Sequence, residues 1–117
     1  MAKREKLLRA GLSPAAAEML VGEVQSLASA GSSATDATKI TGEIVLVASG
    51  SGGAILPASQ KGDTYLLKNE SGNNCVLYPP TGATINATTS VTVATAESCV
   101  IFFSSPTACH TIPTNPT

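Results

Sequence analysis

The side chains best equipped for chemistry are three cysteines, Cys75, Cys99 and Cys109, and the single histidine, His110. A thiol beside an imidazole can make a nucleophile and its base, and Cys with His can ligate zinc. Neither chemistry has its usual spacing here. There is no Cys-x-x-Cys pair, and Cys109 and His110, adjacent on a strand, point to opposite faces. No third group that would orient His110 as a base is apparent. Three is also an odd count for a closed disulfide framework, so the simpler role for the cysteines is as small buried apolar residues. Asp36, Glu43, Asp63, Glu70 and Glu97 are scattered, mostly at turns, and form neither a carboxylate pair nor a calcium loop. Ser49-Gly50-Ser51-Gly52-Gly53 lacks the Lys-Ser/Thr ending and the following helix that a phosphate loop requires. Asn69-Glu-Ser and Asn86-Ala-Thr match glycosylation sequons, which without a secretory route are chance matches. The expectation is a protein that is not an enzyme, with no catalytic set, no metal site and no cofactor. An enzyme or metal protein using Cys99, Cys109 and His110 is the opposing hypothesis, and metal analysis of the purified protein separates the two.

Composition narrows the partners. The chain has 117 residues, enough for one domain. Charged residues make up 13%, roughly half the usual share, and Thr, Ser, Ala and Gly fill the gap. A neutral surface of this kind is suited to being covered by protein. The net charge of -1 supplies no basic excess for phosphates, and aromatics at 3% with no Trp leave little for base stacking. No nucleic-acid partner is expected. No apolar run is long enough to span a bilayer, and the basic start, Met1 to Arg9, leads into a segment broken by Gly11, Ser13, Pro14, Glu18 and Glu23. No secretion signal and no membrane partner are expected, which places synthesis in the cytoplasm.

The elements that must position these residues change character near residue 31. Residues 1–31 read as a helical arm. Ala2 to Ala10 suits a short basic helix carrying Lys3, Arg4, Lys6 and Arg9, and Gly11 stops it. Ser13 caps and Pro14 opens a second helix, whose apolar stripe is Ala17, Leu20, Val21, Val24, Leu27 and Ala28, ending at Gly31. That stripe docks on the chain's own β domain, pairs with copies of itself, or lies on a neighbouring protein. Residues 32–39 read as a flexible connector. Residues 40–113 read as a β domain and 114–117 as a tail in which Pro113 and Pro116 prevent pairing. Strands are expected at Ile44–Val47, Ala54–Leu56, Asp63–Asn69, Cys75–Tyr78, Ala83–Ile85, Ser90–Ala94, Cys99–Phe103 and Cys109–Ile112, with Glu70–Asn74 as a hairpin loop. Short strands at this spacing predict a mainly β fold: a small β-sandwich or jelly-roll-like barrel with a short N-terminal helical arm. With two Phe and two Tyr its core is thin and largely aliphatic, and such modules lean on oligomerisation and on covering their edges.

Between Gly53 and Asn86 the chain carries Ala-Ile-Leu-Pro at 54–57, Gly-Asp-Thr-Tyr at 62–65, Lys-Asn at 68–69 and Val-Leu-Tyr-Pro-Pro-Thr-Gly-Ala-Thr-Ile-Asn at 76–86. The order of these turn motifs, with Leu-Leu-Arg-Ala-Gly-Leu-Ser-Pro-Ala-Ala-Ala-Glu at 7–18, resembles tailed-bacteriophage virion structural proteins of the head decoration or head-fibre type. Proteins of this look often finish with an aromatic near the last strand, where this chain has Cys109-His110. The resemblance implies a homotrimer on the capsid exterior of the virion that decorates and cements the head, with the major capsid protein as partner. The alternative it implies is a short head-fibre or tail-associated protein that binds the host surface. The basic arm (Lys3, Arg4, Lys6, Arg9) is a candidate anchor on an acidic capsid surface, or simply a solvated helix face. Leu20, Val21, Val24 and Leu27 are candidate oligomer or capsid contacts.

Overall fold

Burial that alternates at every second residue, the mark of a strand, begins at Val24, before the composition change at residue 31. The computed structural model describes residues 24–114. They form strands β1 (Val24–Ser29), β2 (Thr38–Lys39), β3 (Ile44–Gly50), β4 (Gly53–Ile55), β5 (Thr64–Asn69), β6 (Cys75–Tyr78), β7 (Thr84–Ile85), β8 (Val91–Val93), β9 (Ser98–Ser105) and β10 (Ala108–Ile112), and no helix occurs among the described residues. All eight strands expected from residue 40 onward are present within a few residues of their expected bounds.

Two expectations are overturned. The first is the helical arm where it overlaps the structure. Val24–Ser29, assigned to the second helix, is a strand paired in parallel with β3. Steps of three and four place Val24, Leu27 and Ala28 on one helical face, but the same residues also alternate in and out, and Leu27 is buried against the core on that alternation. Pairing with a seven-residue apolar strand outweighs helix propensity that is at most a few tenths of a kcal/mol per residue. The basic helix at Ala2–Ala10 and the first part of the second helix lie outside the described residues.

The second correction is the architecture, which is β-solenoid-like and not a sandwich or jelly-roll barrel. One sheet runs β1-β3-β5-β9-β10-β7 and the other β2-β4-β6-β8. Successive strands from β1 to β6 alternate between the sheets, and each pairs in parallel with the equivalent strand of the next coil. Val24 aligns with Ile44 and Ile44 with Leu66, so one coil takes 20 to 22 residues. A sandwich built from hairpins would send β6 back alongside β5. Instead Glu70–Asn74 is a corner between sheets, as is Ser51–Gly52. Strands β8 and β9 then run antiparallel to β6 and β5 and close the stack, and β10 folds back on β9.

The corners explain the small residues. At the β3–β4 corner Gly50 has φ +95°, and a Cβ there would stand 2.1 Å from the Ser29 carbonyl oxygen of the coil below. Coils therefore approach too closely for any side chain. Ser29 fastens the same corner: its hydroxyl donates to the Ser49 carbonyl and accepts from the Gly52 amide. Residues 32–39 begin with a turn closed on Asp36. Its carboxylate accepts from the Ser32 and Ser33 amides and the Ser33 hydroxyl, and these bonds, led by the Ser33 amide, hold the carboxyl below its ordinary range. The segment then buries Ala37 and enters β2.

Between the sheets lie Leu27, Val45, Val47, Leu67, Cys99, Ile101 and Phe103 from one side and Ala54, Leu56, Cys75, Leu77 and Val93 from the other. Tyr65 meets Phe103 edge-on, its hydroxyl 2.6 Å from that of Ser59. Four polar residues, Ser29, Ser59, Asn69 and Thr111, are buried with this core, and Asn69 is the most deeply enclosed. Asn69 occupies the place that Leu27 and Val47 hold in the coils before it, yet it is fully buried. Its amide donates to the Asn73 and Val93 carbonyls, and its side-chain oxygen accepts from the amide and hydroxyl of Ser71. Fully satisfied, it pins the β5–β6 corner to β8.

Candidate interaction surface

The groups with reactive potential are pulled apart by strand alternation. Cys75, Cys99 and Cys109 are buried, unpaired thiols on the inner faces of their strands, and burial pushes each up to about 11. For Cys99 the nearby Cys75 adds to that rise. A thiol held protonated in an apolar interior is a weak nucleophile. His110 points the other way. Its Nε2 lies 2.8 Å from the Ser104 hydroxyl, and its ring lies 5.1 Å from that of Phe102. Sequence reasoning paired His110 with cysteine, whereas the structure pairs it with a serine on the outer face of the β9–β10 hairpin. A serine nucleophile also needs an acceptor that orients the imidazole and donors for an oxyanion. Among the described residues the imidazole hydrogen-bonds to Ser104 alone, so the contact reads as a cross-strand clamp.

Other motifs also resolve. Asn69 is buried with both side-chain groups engaged. Asn86 is tied to Thr111, donating to its hydroxyl and accepting from its amide. Neither asparagine presents a free amide to a glycosylating enzyme. Among the described residues no group of three or more His, Cys, Asp or Glu is placed to hold a metal ion, and no helix is long and apolar enough to cross a membrane.

What the fold does assemble is an apolar face. The outward residues of the six-stranded sheet fall into rows across the strands. Val24 pairs with Ile44, Ile44 with Leu66, Leu66 with Val100 and Val100 with Ile112. One aliphatic side chain from each of five neighbouring strands thus lies on one line. Val24 is 65% exposed, Ile112 61%, Leu66 49% and Ile44 37%, and these four are the exposed large hydrophobics of the described chain. Leu46 and Phe102, both half-buried, extend the row on either side. Ile44, Leu66, Val100, Ile112 and Pro113 line a shallow depression there. Lys68 is the one charged side chain on this face of the paired strands; it also lines the depression, and its ammonium donates to the Ala96 carbonyl at 3.0 Å. Isolated exposed leucines are normal, but five register-aligned aliphatics are a contiguous patch.

Of the residues singled out from sequence, Lys3, Arg4, Lys6, Arg9, Leu20 and Val21 lie outside the described residues. Val24 heads the exposed row, while Leu27, 2% exposed, belongs to the core. Ile44, Leu66, Val100 and Ile112 were not expected at a surface. Ile44, Leu66 and Val100 each sit in a run apolar at successive positions, which reads as a strand buried on both faces, while Ile112 ends the mixed stretch Cys109-His110-Thr111. No protein-family model and no curated protein sequence matches this chain.

Proposed function

We propose that this protein is a non-enzymatic structural component of a tailed-phage virion, self-associated and seated on the capsid exterior, where it decorates and cements the head. The observation that carries the reading is the exposed row Val24, Ile44, Leu66, Val100 and Ile112 on a sheet whose backbone is already paired strand to strand. Such a face gains by packing against protein and offers little to a small polar substrate. The buried, protonated thiols and the serine-clamped histidine support the same reading. The virion assignment rests on the resemblance carried by residues 7–18 and 53–86, which also implies the major capsid protein as partner and three copies per assembly. The test is binding of purified full-length protein to capsids assembled without it. Saturable binding is expected, and no binding refutes the reading.

The alternative, a short head-fibre or tail-associated protein that binds the host surface, draws support from the stacked coils, because coil stacking builds elongated shapes from short sequence units. Adsorption of labelled protein to host cells, with capsids left bare, would favour it.

A further inference from the structure

We infer that the outer face of the six-stranded sheet is covered by a second copy of this chain, with the row centred on Leu66 as the core of the contact. The inference rests on the self-association in the reading above and names its surface, but a two-fold contact closes a pair, so it replaces the three copies that the resemblance implies with two.

Charge is the first argument for a copy as occupant. The row carries none, and Lys68 is turned onto the Ala96 carbonyl. A nucleic acid or a charged protein finds a single, already engaged lysine beside the row to match, whereas a second copy brings an equally neutral row. Size is the second. Strands ~4.8 Å apart and side chains repeating every ~6.6 Å give five strands and three rows, with side-chain margins, a footprint of about 500 Å². Only the central row is wholly apolar: Leu46 and Phe102 add to it on either side, but share the flanking rows with Ser26, Lys68, Ser98, Thr64 and His110, so the apolar area is a fraction of that footprint. With its polar rim the footprint approaches the roughly 800 Å² that each partner contributes to a standard interface. The third argument is the order of the residues. A two-fold axis lying parallel to the strands and passing by Leu66 sets Val24 opposite Ile112 and Ile44 opposite Val100, with Leu66 facing its own copy. Each outer pair joins one valine to one isoleucine, so the gap between the sheets stays even along the row. The ladder already satisfies the strands' amides and carbonyls, so covering this face strands no backbone group.

The experiment is light scattering on the full chain and on two variants, Leu66→Asp at the centre of the row and Ile112→Asp at its end, with circular dichroism to show that each is folded. The expected result is an oligomer for the parent and at least a tenfold weaker association for both variants, with unchanged spectra. A parent that runs as a single copy overturns the inference, and so do folded variants that keep the parent's mass. Should Leu66→Asp not fold, Ile112→Asp decides alone, since its side chain is more exposed. Capsid binding is scored separately. A protein that self-associates through this row and leaves capsids bare keeps this inference and loses the virion function. One that coats capsids as a single copy does the reverse.

Discussion

The two faces of the six-stranded sheet are built from alternate residues of the same strands, and both are aliphatic. The inner face, with Val45, Val47, Leu67, Ile101 and Phe103, is closed by the second sheet and admits the polar Ser29, Asn69 and Thr111 only because their side-chain groups are engaged. The outer face, with Val24, Ile44, Leu66 and Ile112, is open. A sheet with one wet side normally alternates apolar with polar residues. Here the alternation is lost over β3, β5 and β9, where the chain reads Ile44-Val45-Leu46-Val47, Tyr65-Leu66-Leu67 and Val100-Ile101-Phe102-Phe103. The inner face specifies the fold, and the outer face carries apolar area that the fold does not consume. Substitutions on the two faces should therefore fail in different ways.

The largest effect is expected at Phe103, 1% exposed beneath Tyr65. Phe103→Ala should lower unfolding free energy by about 3–5 kcal/mol in chemical denaturation. Next comes Asn69→Ala, which takes the side-chain partner from the Val93 carbonyl and the Ser71 amide, while the Ser71 hydroxyl and the Asn73 carbonyl keep each other. A loss of about 2–4 kcal/mol is expected, with early hydrogen exchange at the β5–β6 corner.

The buried thiols give the inner face a pH signature. Each is raised to about 11 in the folded chain from an ordinary value of 9.0, so the unfolded state releases these protons first. The stability tied to keeping them protonated is fully present below pH 9 and is lost as pH rises from 9 toward 11. Melting temperature measured across that range should fall, and replacing Cys75 by Ala should flatten the decline. The smallest effect on folding is expected on the outer face. Val24→Ser should change unfolding free energy by only about 0.5 kcal/mol at dilutions where the chain is a single copy, while weakening self-association. A core-sized loss of stability there would erase the distinction between the faces.

Sequence reasoning recovered the strands from residue 40 onward because Gly, Pro and Asn corners punctuate them. It missed β1 because Val24-Gln25-Ser26-Leu27-Ala28-Ser29 satisfies helical and strand periodicity alike, and only pairing with β3 decides between them. The stacked coils were legible only as a faint repeat. Val24 and Leu27, Ile44 and Val47, and Leu66 and Asn69 recur at steps of 20 and 22 residues, with an asparagine where the pattern asks for an aliphatic. Ala54-Ile55-Leu56-Pro57 and Leu77-Tyr78-Pro79 echo each other on the second sheet. Hairpin grammar hid this: Glu70–Asn74 has the residues of a tight reversal, but the network around Asn69 and Ser71 bends it into a corner. The exposed row was hidden for a related reason. An unbroken apolar run does not say which of its residues the fold will leave outside, and Leu66 and Val100 become neighbours only through the β5–β9 register.

The most direct test of the account is site-directed cross-linking. The native thiols are buried, so a single cysteine introduced on the surface is the only one that a short bismaleimide should reach in the folded chain. Leu66→Cys, at the centre of the row, is predicted to give a covalent dimer in high yield, and Thr81→Cys, exposed at the far corner after β6, is predicted to remain monomeric. Equal cross-linking at both positions, or none at Leu66→Cys, would contradict the claim that this face is where one copy meets another.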